Sequence, residues 1–161
     1  SLSGFWGALA GGWQVNGIFQ ARTGPPLTVY APRDTLGGVG RPRPNVVSYD
    51  VNAEGNRVGP TAANFTNWVE DINLMTPKGN AYRGAFRGAG YWNVDFSLFK
   101  EFRTPWFTAE GSTLQIRLEA FNLFNHTNYR LPNLDLLSET MGYTFDTFPN
   151  RQIQLGIKFI F

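Results

Sequence analysis

The chain contains no cysteine and a single histidine, His126. The first absence excludes disulfides, thiolate nucleophiles and thiolate metal sites. The second excludes a histidine-rich metal centre and leaves little from which to build a hydrolase, which needs a nucleophile and a base together. No enzyme activity and no cofactor are therefore expected. Charge is scarce as well: charged residues are 16% of the 161, below the usual quarter. The formal net charge is only +2, so the basic pI gives no reason to expect nucleic acid as a partner. Nor does any segment read as a membrane helix. Residues 1–21 are uncharged and long enough to cross a bilayer, yet they carry five glycines, several amides and a strand-like alternation. That stretch lacks the basic start of a signal peptide, and there is no initiator methionine. A C-terminal fragment of a longer chain is expected.

What the chain does have is aromatics, at 16%, with 18 glycines and 10 prolines. Low charge, many rings and many turn formers point to an all-β protein whose surface is not wholly in water. Four segments alternate with a period of two, the mark of half-buried strands. In "WQVNGIFQAR", Trp13, Val15, Gly17, Phe19 and Ala21 share a face, and the strand is expected to continue past Gly24-Pro25-Pro26 into "LTVYA". In "YWNVDFSLFKEF", Trp92, Val94, Phe96, Leu98 and Phe102 oppose Asn93, Asp95, Ser97 and Glu101. In "TLQIRLEAFNLF", Leu114, Ile116, Leu118 and Ala120 oppose Gln115, Arg117 and Glu119, with the parity blurring at Asn122. Helix competes for this third segment on propensity, but strict alternation favours strand. In "RQIQLGIKFIF", Ile153, Leu155, Ile157, Phe159 and Phe161 share a face. Strands are thus expected near 13–30, 91–102, 113–124 and 151–161, antiparallel and in sequence order.

Their connections are uneven. A short one spans 103–112, a longer one 125–150 and a very long one 32–90. Short and long connections between strands of 9–11 residues match a transmembrane β-barrel, with short turns on the periplasmic side and long loops outside. Alternation alone does not separate this from a soluble β-sandwich, whose polar face would meet bulk water. Aromatics at the strand ends favour the barrel: Trp13, Phe102, Phe159 and Phe161 at one level, Trp92 and Phe124 at the other. These suit interfacial girdles. Lys100, on the apolar face near a strand end, could snorkel to headgroups.

The end of the chain, with Gln154, Gly156, Phe159 and Phe161, resembles the C-terminal signal by which the barrel-assembly machinery recognises bacterial outer-membrane barrels. More broadly, "GWQVNGIFQARTGPPLTV", "RGAGYWNVDFSLFKEF", "RLEAFNLFNHTNY" and "RQIQLGIKFIF" are similar to the closing portion of TonB-dependent receptors. The similarity is strongest to the Oar-like branch, which carries a carboxypeptidase-regulatory-like domain. The resemblance implies the last part of a 22-stranded barrel, residues 1–161, with the plug domain and the TonB-contacting segment absent. It implies a location in the bacterial outer membrane and contact with its lipid. It also implies assembly by the barrel-assembly machinery and, through the missing N-terminal part, energy from the inner-membrane TonB complex for uptake of an unknown substrate.

Candidate sites have plain alternatives. Asp95, Arg117 and Glu119 form an expected lumen-facing polar cluster, in which Arg117 could pair with either acid or simply support strand packing. His126 in "FNHTNY" is read as a loop residue. "RGAFRGAG" is not a phosphate-binding glycine motif, since it precedes a strand. Asn64 and Asn125 begin glycosylation sequons that would be idle in a bacterium. "NFTNWVEDINLM" has the helical spacing of Trp68 and Ile72 and is read as a small helix pinning the long loop. Besides a receptor segment, two readings remain: a structural or adhesive outer-membrane module, such as a four-stranded unit that trimerises, and a soluble sandwich that binds a ligand.

Overall fold

Alternation builds one sheet, and turn chemistry decides where its strands stop. The computed structural model describes residues 10–31, 43–65, 79–103 and 111–161. Six strands occur there: β1 (Trp13–Arg22), β2 (Pro26–Leu27), β3 (Phe86–Arg87), β4 (Tyr91–Arg103), β5 (Thr113–Phe121) and β6 (Gln152–Ile160). The four long strands form one sheet in the order β1-β4-β5-β6, and β2 pairs with β3. The only helical turn among the described residues that an element spans is a 3-10 turn at Ala62–Asn64. The chain divides into two units. One holds residues 1–21, 92–126 and 149–161, the other 22–91 and 127–148.

In the first unit β4 and β5 pair antiparallel from Phe96↔Ala120 to Arg103↔Thr113. Strands β5 and β6 pair antiparallel from Thr113↔Ile160 to Phe121↔Gln152. Beside β4, Gly12 O accepts from Glu101 N–H at 2.9 Å, while Gly17 lies against the Asp95 carbonyl. Ascending numbers on one strand meet descending numbers on the other, so β1 is antiparallel too. Of the segment 113–124, for which helix competes on propensity, residues 113–121 are strand and the chain turns from Asn122.

The second unit carries the buried core. Leu27, Val29, Phe65, Phe86, Leu136 and Met141 pack together, flanked by Val46, Val51, Ala85 and Leu134. Leu27 and Val29 are not the end of a strand running from Trp13 to Tyr30. β1 stops at Arg22 and the chain re-forms as β2 against β3. The break has a physical cause. Pro25 and Pro26 have no amide proton to offer a ladder, and a side chain on Gly24 would fall inside the Gly88 carbonyl. The backbone segments at Gly24 and Gly88 touch directly, which only glycine permits.

Asn64 ties the long connection together. Its side-chain amide donates to Ser48 O at 3.0 Å and Asp50 O at 2.7 Å, and its Oδ1 accepts from Thr61 N–H at 2.9 Å. The residue is buried, so this sequon nitrogen is committed to structure. The small helix expected around Trp68 and Ile72, and residues 104–110 of the short turn, lie outside the described residues.

Replacing Gly24 by Val forces the two backbones apart. The expected cost is about 1–3 kcal/mol, typical of an overpacked site with no flexible neighbour. Hydrogen exchange should show faster opening of amides in residues 22–31 and 79–91, with the amides of β5 and β6 unchanged. Uniform loosening of β5 and β6 would contradict this.

Candidate functional site

The register sorts the sheet's side chains into two faces. Phe96, Leu98, Lys100 and Phe102 on β4 stand opposite Ala120, Leu118, Ile116 and Leu114 on β5, which in turn stand opposite Ile153, Leu155, Ile157 and Phe159 on β6. This apolar row is not covered. Leu155 is 77% exposed and Ile157 76%, and Val15 and Phe19 of β1 are also exposed. A patch of this extent on a water-soluble monomer would be anomalous. Aromatic rings close both ends of the row. Phe102, Phe159 and Phe161 gather at one end, with the last two rings 6.0 Å apart. Trp13 lies at the same end, since the Lys100 ammonium is 5.0 Å from its ring and 5.1 Å from that of Phe102. At the other end Trp92 sits 6.2 Å from Phe124 and stacks on His126 at 4.2 Å.

A sheet with strands of bilayer-spanning length, one uncovered apolar face and an aromatic row at each end is built for lipid. The chain matches a family described as outer membrane beta barrel domain over residues 1–154. It belongs to that family. No curated protein matches the chain, and no solved structure does. The apolar face therefore meets outer-membrane lipid and the opposite face lines the barrel lumen, in the bacterial outer membrane. The soluble-sandwich alternative falls with this result.

The face opposite the apolar row carries Asp95, Arg117 and Glu119, but it does not join them as ion pairs. Among the described residues the ion pairs are Arg57–Glu54 and Arg130–Asp146. The register explains why: Arg117 stands opposite Phe99 on one side and Gly156 on the other. Its guanidinium carbon lies 4.6 Å from the Phe99 ring centre, and its Nε has no hydrogen-bond partner. The pairing expected between Arg117 and an acid is thus replaced by a cation–π contact with a buried ring. Glu119 accepts instead from Gln154 Nε2 at 2.6 Å, and Glu101 accepts from Gln115 Nε2 at 2.8 Å. Amides, not guanidinium groups, satisfy these lumen carboxylates. Phe99 was the residue the sequence pattern passed over. Its signal was parity: an aromatic in register with polar neighbours.

Asp95 has a different task. Its Oδ1 accepts from Asn93 Nδ2 at 2.7 Å and from the backbone N–H of Asn122 at 3.0 Å. Asn122 and Asn125 both have positive φ, 51° and 53°, a conformation asparagine tolerates better than most residues. Asn122 Oδ1 accepts from His126 N–H at 3.0 Å, and its Nδ2 donates to His126 O at 2.9 Å. Asn125 Oδ1 accepts from Arg151 N–H at 3.1 Å. The turn after β5 is therefore a polar knot fastened to β4 by the Asp95 carboxylate and by the Leu123 N–H, which donates to Val94 O at 2.8 Å. His126 is positioned by this knot and by Trp92.

On β6, Gln154 and Gly156 face the lumen side, and Phe159 and Phe161 lie at the aromatic row. A side chain on Gly156 would make ordinary contact with Arg117 Cβ at 3.8 Å, so space alone does not require glycine there. Among the described residues no group of three His, Asp or Glu side chains could hold a metal ion.

Asp95→Ala should leave the Asn122 amide without its acceptor. The expected destabilisation is about 1–3 kcal/mol, read as a lower unfolding temperature of the detergent-refolded barrel. Asp95→Asn keeps an acceptor and should recover at least half of the loss. Equal effects of the two variants would show that the carboxylate's charge, not its acceptor geometry, holds the turn.

Proposed function

We propose that this chain supplies barrel strands and outer loops to a TonB-dependent receptor of the Oar-like branch. The receptor takes up a substrate by binding and passage, without catalysis. The observation that carries the reading is the Asp95–Asn122 link. Asp95 lies in "RGAGYWNVDFSLFKEF" and Asn122 in "RLEAFNLFNHTNY", two of the segments that resemble that branch. In the fold the two segments are paired strands, and their ends are joined by the Asp95 carboxylate and by the Leu123 N–H on Val94 O. The shared sequence pattern thus has a shared structural reason. A second support is the size of the connections between β1 and β4 and between β5 and β6, which together build a unit with its own buried core. Binding loops on a rigid scaffold are where recognition residues concentrate. In this reading β6, with Gln154, Gly156, Phe159 and Phe161, is the strand that the assembly machinery reads.

Energy coupling is tested by cross-linking. The full-length protein, tagged and expressed in its own cells, should yield a formaldehyde adduct with the inner-membrane TonB protein. Absence of that adduct, while another TonB-dependent receptor in the same cells gives one, would overturn the reading.

Topology is tested separately. The long connections should face outside, with the 103–112 turn and residue 161 on the periplasmic side. The sequence has no cysteine, so single cysteines at the exposed positions Ala53 and Glu139 give a clean background. Both should react with a membrane-impermeant thiol reagent on whole cells. Reaction only after lysis would mean the opposite orientation.

A further inference from the structure

The unit formed by residues 22–91 and 127–148 contains a cavity of about 540 Å³, in the size range of small-ligand sites. Two short ribbons wall it. In the first, β2 pairs with β3, Gly88 N–H donates to Pro25 O at 3.0 Å, and Gly24 abuts the Gly88 carbonyl. In the second, Tyr129 bridges to Thr147, Arg130 N–H donates to Asp146 O at 3.0 Å, and Phe148 N–H donates to Asn128 O at 2.8 Å. The side chains that enter the cavity thus come from hydrogen-bonded backbone, not from free loop tips.

Phe148 is the centre of the site. The Tyr91 ring meets it edge-on at 5.1 Å. The Arg130 guanidinium carbon lies 4.8 Å from its centroid and that of Arg22 5.4 Å, and Arg22 also lies 4.6 Å from the Tyr91 ring. The two arginines differ in one decisive way. Arg130 Nε is committed to Asp146 Oδ2 at 3.3 Å and to Thr147 O at 3.3 Å. Among the described residues the exposed Arg22 side chain has ring contacts but no hydrogen bond or ion pair. Two rings flank its planar fork, and among the described residues its N–H donors have no protein acceptor.

We propose that this cavity binds a small organic carboxylate with a flat apolar body. Arg22 takes the carboxylate as a bidentate fork, while Tyr91, Phe148, Leu131 and Pro25 cover the body. The charge balance selects the class. Arg130 and Asp146 cancel, leaving Arg22 as the one uncompensated cation among the described residues that line the cavity, which matches a monoanion. A phosphate monoester would bring a second negative charge towards Asp146 with no second free cation to meet it. The proposal rests on the geometry of this unit alone. It stands or falls independently of coupling to TonB.

The test uses the full-length protein in detergent micelles and three probes of one shape: benzoate, phenyl phosphate and benzamide. Calorimetry and saturation-transfer NMR should rank benzoate above phenyl phosphate, with benzamide at least tenfold weaker than benzoate. Arg22→Gln should weaken benzoate at least tenfold and leave benzamide unchanged. Arg22→Lys keeps the charge but loses the fork, and should fall between. Arg83→Gln, at an exposed arginine away from the cavity, should behave as wild type. Leu131→Trp, which fills the cavity, should weaken all three probes and serves if the Arg22 variants do not fold. Tighter binding of phenyl phosphate overturns the carboxylate assignment. Equal binding of benzamide and benzoate, an unaffected Arg22→Gln or Leu131→Trp, or an equal loss in Arg83→Gln overturns the site.

Discussion

Lipid offers the backbone no hydrogen-bond partner, and every unpaired amide or carbonyl there costs several kcal/mol. The sheet follows from that constraint. The β5–β6 ladder runs through nine successive pairs with no bulge, from Thr113↔Ile160 to Phe121↔Gln152. Because side chains alternate, slipping this ladder by one residue would turn Leu155 and Ile157 into the lumen and Gln154 out to lipid. Pairing and patterning therefore fix each other. The same constraint acts at the two outer strands. β1 and β6 each have one neighbour in the sheet, so their far edges are where further strands must add for a barrel to close.

Two solvents impose opposite rules on one chain. In the sheet unit Val15 and Phe19 of β1 and Leu155 and Ile157 of β6 are exposed. In the other unit Phe86, Val29 and Leu27 are almost fully buried, and each such burial contributes about 1.5–3 kcal/mol. The change of rule falls at Gly24-Pro25-Pro26 on one side and at Asn122 on the other. Both places end a strand by chemistry that a ladder cannot continue. Prolines withhold the donor, and Asn122 turns the backbone to positive φ while Asp95 takes its amide.

Much of the sheet was legible because a period of two sustained over nine or more residues is a strong signal. The long strands β4, β5 and β6 appear within a few residues of where alternation puts them. The faces of Trp92 to Phe102 and of Ile153 to Phe161 also match the pattern. What escaped was long-range. The prolines mark the break, but nothing local shows that Leu27 and Val29 then enter a core shared with Phe65, Leu136 and Met141, which lie far from them in sequence. Arg117 was misjudged for a related reason. Its charge suggested an acid partner, but register, which sequence does not give, placed Phe99 and Gly156 beside it. The cavity around Phe148 was equally hidden. Arg22, Tyr91, Tyr129 and Phe148 are far apart in sequence and share no motif.

Lys100 shows how the constraint of pairing reaches a side chain. Trp92 and Phe102 lie ten residues apart on β4, about 33 Å at the usual rise per residue. At the tilt usual for barrel strands this projects to about 25 Å, the height of an outer-membrane apolar band. Lys100 therefore sits about 5 Å inside the aromatic row by the same rise and tilt, where a bare ammonium is costly. Its side chain runs towards the strand end, to a carbonyl two residues before Trp13. The residue is buried, its Nζ donates to the Gly11 carbonyl, and the rings of Trp13 and Phe102 flank it. Gly11 gains from the same contact. Gly12 has φ of 72°, so the chain leaves the ladder there, and the Glu101 amide is already spent on the Gly12 carbonyl. The Gly11 carbonyl thus takes its donor from elsewhere than the Glu101 amide. Lys100 supplies that donor from its side chain, and the carbonyl with two ring faces supplies the ammonium's counter-charge. Each group removes the other's cost, and together they fasten the start of β1 to β4.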